Sequence, residues 1–109
     1  MKVKYGGNGF DWKVPIEWYA TVTDTAFSDK RISLDWTEGA WHGHLEADSI
    51  DGIHFSGRYS YRGSASDGGR FALTRYRGGE EVLLFGTYRS DDEQMVGNWM
   101  FHLTPRGND

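Results

Sequence analysis

Residues 82–103 read VLLFGTYRSDDEQMVGNWMFHL, and this stretch decides the fold. Val82, Leu84, Gly86 and Tyr88 share one face of an extended chain. Met95, Gly97, Trp99, Phe101 and Leu103 share one face of the next, because residues i and i+2 of a strand point the same way. Each run carries a glycine two residues before a large aromatic, in Gly86-Thr87-Tyr88 and Gly97-Asn98-Trp99. A two-residue turn at Asp92-Glu93 sets Trp99 opposite Gly86 and Tyr88 opposite Gly97. Each ring then covers bare backbone on the neighbouring strand, which pins the register and lets the sheet curl.

The same triplet recurs upstream as Gly39-Ala40-Trp41 and Gly57-Arg58-Tyr59. Period-two alternation runs through Ile16–Val22, Ile32–Trp36, Trp41–Ala47, Ile53–Tyr61 and Phe71–Leu73. Gly, Asp and Ser clusters separate these runs at hairpin spacing. A loop from Ala47 to Asp51 sets Trp41 opposite Gly57. Only Asp24 to Lys30 has room for a turn of helix. The opening segment to Trp12 adds a further strand, and residues 104–109 read as a flexible tail. The expectation is one all-β domain over residues 1–109, a small antiparallel meander barrel of seven or eight strands. The alternative is a two-sheet β-sandwich.

Gly39-Ala40-Trp41, Asp51-Gly52, Gly57-Arg58-Tyr59 and Arg70-Phe71-Ala72-Leu73-Thr74 together resemble the strand pattern of avidin-type barrels. Gly86-Thr87-Tyr88, Asn98-Trp99 and Leu103-Thr104 continue the similarity. The resemblance implies a calycin-like up-and-down barrel. It implies no biotin site, because the family's gripping serines and terminal aspartate have no match and Tyr61 stands where a small hydroxyl belongs.

Rings must supply much of the core, since 16% of the chain is aromatic and only 38% is apolar in all. The absence of cysteine excludes disulfides, thiolate metal sites and a cysteine nucleophile. Met1 to Gly7 lacks the apolar core of a signal peptide, and a cytoplasmic protein is expected. No apolar run reaches membrane-spanning length. A net charge of −4 argues against nucleic acid or an anionic membrane as the main partner.

Four groups of residues are candidates for function. Trp41, Tyr59, Tyr61, Tyr88 and Trp99 fall on the inward parity with Trp18, Trp36, Phe55, Phe71 and Phe101. These rings either fill the core or line a pocket for a small apolar or aromatic ligand. His42, His44 and Glu46 share an outward face, and the register above brings His54 opposite His44. Such a group suits Zn²⁺, or titration near neutral pH; otherwise it is a solvated face, and no cofactor is required. Tyr76, Leu83, Phe85, Val96 and Met100 form an outward apolar stripe, a surface for a second copy or a protein partner. The structural alternative is that Tyr5, Phe10 and Trp12 fold over that stripe. Arg58, Arg62, Arg75, Arg77 and Arg89 are countered by nearby carboxylates, which favours surface pairing over nucleic acid.

No nucleophile–base pair stands in a recognisable setting, and Gly6-Gly7-Asn8-Gly9 lacks the lysine and helix of a phosphate loop. A non-catalytic binding role is expected. A carbohydrate-binding alternative would draw on Trp12, Trp18 and Tyr19.

Overall fold

The computed structural model of the chain describes residues 5–11, 19–62, 64–94 and 96–105. Within them run β1 (Tyr5–Asp11), β2 (Tyr19–Phe27), β3 (Arg31–Glu38), β4 (Trp41–Asp48), β5 (His54–Tyr61), β6 (Ser64–Gly78), β7 (Glu81–Ser90) and β8 (Val96–Pro105). Each strand pairs antiparallel with the next, and β1 pairs with β8, so the sheet closes into an eight-stranded meander barrel. Closure removes the exposed edges that an open sheet of this length would leave. Among the described residues there is no helix. The segment with room for a helical turn instead continues β2 to Phe27, past a register shift between Val22 and Asp24.

Alternation sorts the side chains. In β3, Ile32, Leu34 and Trp36 are buried while Ser33, Asp35 and Thr37 face outward. Val22, Leu45, Phe55, Leu73, Leu84, Phe101 and Leu103 complete the interior from the other strands. Gly39-Ala40 and Gly79-Glu80 connect their strands in two residues, and Gly39 and Gly79 adopt φ of 62° and 63°. A β-carbon is disfavoured at such φ, so glycine is what allows these tight connections.

The β7–β8 register is the expected one: Gly86 pairs with Trp99 and Tyr88 with Gly97. The connection is longer than two residues, running between Ser90 and Val96, with the Glu93 N–H donating to the Ser90 carbonyl at 2.9 Å. The Tyr88 ring lies over Gly97 as expected. Gly86 differs: a β-carbon there would collide with the Ala72 carbonyl, so it is needed for close backbone approach rather than to seat Trp99. Trp36 lies over a glycine outside the triplets, Gly43.

The β4–β5 register corrects the expectation. Gly57 faces Ala47, not Trp41, and His44 faces Ser60, not His54. The cause is the loop. Asp51 accepts hydrogen bonds from the Ser49 hydroxyl and from the Ile53 and His54 N–H groups at 2.8–3.0 Å. This places the turn at residues 49–53 and lets β4 continue through Asp48. The tail is also shorter than expected, because Thr104 and Pro105 pair with Gly6 and Tyr5. Residues 106–109 lie outside the described residues, as do Trp12 and Trp18.

Candidate functional site

At the end of the barrel where β3, β5 and β7 finish and β4 and β8 begin, the inward positions carry rings. Trp99, 2% exposed, is the hub. Tyr88 stacks on it at 4.6 Å between ring centres, and Tyr59 meets it at 4.8 Å and 65°. Trp36, Phe71 and Phe101 close the other sides at 5.5–6.0 Å. Most of these contacts are tilted or edge-on, the arrangements that ring quadrupoles favour. The deep part of the barrel is therefore filled with side chains.

Contacts continue outward from this hub. Tyr61 stands edge-on to Trp36 at 5.9 Å and to Tyr59 at 6.2 Å. Trp41 meets Tyr61 at 6.4 Å and 83° and remains 49% exposed. Strand position explains this difference: Trp41 has inward parity but is the first residue of β4, so it stands at the barrel rim. All five residues expected to bind ligand belong to one chain of ring contacts. Trp99 and Tyr59 are buried, Tyr61 and Tyr88 half-buried, and only Trp41 is open.

One member of this end was not anticipated. Glu38 follows Trp36 by two residues on β3 and pairs with Trp41 across the β3–β4 turn. Its Oε2 is buried, as is the Trp36 indole nitrogen. Burial, followed by the charge of Glu38 and a hydrogen bond to its carboxylate, holds the Tyr61 phenol far above its ordinary pKa; the Trp36 indole opposes them. Tyr61 is thus a neutral hydroxyl donor at any physiological pH. The sequence signal was the i+2 step from Trp36, which puts a carboxylate on the inward face.

The histidine group is divided by the corrected register. His54 pairs with Thr74 at the opposite end of the barrel, where its Nδ1 meets Asp51 at 2.7 Å. His44 lies between two carboxylates, with Nδ1 2.6 Å from Asp35 and Nε2 2.9 Å from Glu46. Burial lowers its pKa, but the hydrogen bonds to Glu46 and Asp35, and their charges, outweigh burial and raise it. Arg31 extends the lattice to Glu46 at 2.6 Å and Asp48 at 3.0 Å. Both ring nitrogens of His44 are thus engaged by carboxylates. Among the described residues, no three His, Asp or Glu side chains are placed to hold one. His42 joins His44, Asp35 and Arg62 around an outer depression of about 390 Å³ that reaches Trp36 and Tyr61.

The outward apolar stripe is present and wider than expected. Phe85 pairs with Met100, Met100 with Phe10, and Phe10 with Tyr19. Phe10 and Tyr19 stack at 6.3 Å. Phe10 thus extends the stripe across β8, β1 and β2 instead of folding over it. Leu83 faces Tyr76, and Val96 faces Arg89, along its sides. Tyr5 instead packs against the core beside Phe27. Arg58 and Arg89 pair with Asp91 and Glu93 at 2.6 and 2.9 Å.

Comparison of the chain with protein-family models and with curated proteins found no match. No helix among the described residues is long and apolar enough to cross a membrane.

Proposed function

We propose that this chain is a non-catalytic binding domain that takes a small, flat, apolar or aromatic molecule at the aromatic end of its barrel. The observation supporting this is the half-exposed Trp41 indole held edge-on to Tyr61, backed by rings that are already sealed. A preformed apolar wall with a few oriented polar groups is what small-molecule sites use. The ligand adds to the rim of the ring cluster and does not enter the filled interior. A cytoplasmic setting belongs to the same proposal, since a chain without cysteine needs no oxidising compartment to fold. Titration of tryptophan emission with indole and with naphthol tests the site. A saturable change that disappears in folded Trp41→Ala supports it. No saturable change in the unmodified chain, or a change that survives in Trp41→Ala, overturns it.

A second reading concerns the outer face. The row Tyr19–Phe10–Met100–Phe85 supports self-association of two copies through β1, β7 and β8. Light scattering should give a multiple of 12.4 kDa, and Phe85→Asp should return the mass to that value with the β circular dichroism intact. A monomer at high concentration overturns this reading.

A further inference from the structure

Three arginines stand side by side on the outer wall of the barrel. The register sets Arg58 of β5 opposite Arg70 of β6, and Arg70 opposite Arg89 of β7. We infer that this row binds a phosphate group, carried by a small ester or as the free ion, with Arg70 at its centre. The site is separate from the ring-lined rim and does not rest on the function proposed for that rim.

Like charges directly opposite one another destabilise a sheet, so such a row calls for negative charge. Among the described residues, two carboxylates answer it, both from the β7–β8 connection. Asp91 meets Arg58 at 2.6 Å, and Glu93 meets Arg89 at 2.9 Å. Each engages an outer member of the row. Arg70, between them, has no ion pair or hydrogen bond among the described residues. Glu46 lies opposite Arg58 on β4, but Arg31 and His44 already hold it. Asp92 accepts from the Ser90 hydroxyl and the Gln94 N–H. Positive charge is therefore in excess at the middle of the row.

The surface beside the row has room for an anion. Arg70 and Arg89 line an outer depression of about 690 Å³ with Ala72, Thr87, Asp91 and Glu93. The register explains the depression: the neighbouring outward row is Ser56–Ala72–Thr87–Asn98, short side chains next to long ones. Each guanidinium carries five N–H groups, so Arg58 and Arg89 have donors to spare while Asp91 and Glu93 hold them in place. Guanidinium forks match phosphate oxygens, and a phosphate group offers three peripheral oxygens where a carboxylate offers two. The flanking carboxylates also set a limit: the row suits a single phosphate, not the charge of a nucleic-acid backbone.

Phosphorus NMR titration of glycerol phosphate with the full chain tests the inference, because this probe has no ring to engage the aromatic rim. A saturable shift is expected. Arg70→Gln should weaken binding about fivefold or more. Lys30→Gln, which removes the same charge from the β2–β3 connection, should leave it within about twofold. Glycerate, with a carboxylate in place of the phosphate, should compete about fivefold more weakly than inorganic phosphate. Tighter binding of glycerol phosphate than of inorganic phosphate assigns the ester as occupant, and the reverse order assigns the free ion; either order supports the site. No saturable shift, an affinity that Arg70→Gln leaves unchanged, equal weakening by Lys30→Gln, or glycerate competing as well as phosphate overturns it. Circular dichroism of each variant confirms that the barrel is intact.

Discussion

The two ends of this barrel are closed in different ways. At the end formed by the β2–β3 and β4–β5 connections, Arg75 is only 9% exposed. Its guanidinium donates to the Ser28, Asp29 and Gly52 carbonyls at 2.8–3.1 Å and lies 4.8 Å over the Phe55 ring. Its own backbone N–H donates to the Ile53 carbonyl at 2.8 Å. One rigid fork therefore ties two loops to β6. At the opposite end there is no such clasp among the described residues; rings lean on rings, and the outermost is half in water. Directional bonds to backbone carbonyls use up the donors that make them. Ring contacts are less directional and leave the outer face of Trp41 available. The clasped end thus serves stability, and the proposed binding function falls to the aromatic end.

Substitutions should separate the two roles. The largest effect is expected at the hub: Trp99→Ala removes a sealed ring and should lower unfolding free energy by about 3–5 kcal/mol in urea denaturation. Next comes the clasp. Arg75→Met strands three carbonyl acceptors and should cost about 2–4 kcal/mol, and Arg75→Lys should recover only part of it because an ammonium cannot span the same fork. Equal stability of Arg75→Met and the unmodified chain would remove the distinction between the ends. Trp41→Ala, at the open rim, should cost under about 1 kcal/mol of stability while abolishing ligand binding.

The smallest effect is a pH dependence on the outer wall. His44 faces Asp35 on β3 and Glu46 on its own strand, with Asp24, His42 and Arg62 around the same depression and Arg31 beyond Glu46. Its folded pKa is raised, so its stabilising contribution is fully present below the unfolded value near 6.5 and fades as pH rises through the folded value. Glu46 has a lowered pKa, so its share is present above the unfolded carboxylate value and is lost in acid. The side chains are 39–51% exposed, which keeps the contribution small. Denaturation midpoints should fall slightly between pH 6 and 8.5 in the unmodified chain, and His44→Gln should flatten that slope.

How legible each feature was depended on what held it. The β7–β8 register could be read because glycine and aromatic alternate on both strands and only one turn satisfies both. The β4–β5 register could not, since Asp48 and Ser49 look alike as turn residues in a bare chain. What separates them is long-range: Asp48 pairs with Arg31 on β3, while Ser49 joins the Asp51 cap. The histidine cluster failed with that register. The five ring positions were legible from parity. That Trp41 is open and Trp99 sealed was not, because depth along a barrel depends on where each strand ends. Glu38 was visible by parity but, as a charge next to a turn, resembled a solvated strand end.

Trp41 and Trp99 occupy one ring network with opposite access to solvent, and the proposed ligand meets Trp41 alone. Fluorine NMR of 5-fluorotryptophan-labelled chain, assigned by single Trp→Phe variants, tests it most directly. A soluble paramagnetic agent should broaden the Trp41 resonance and leave Trp99 sharp, and naphthol should shift Trp41 and protect it from that broadening. A broadened Trp99, or a Trp41 resonance indifferent to the ligand, would contradict the account.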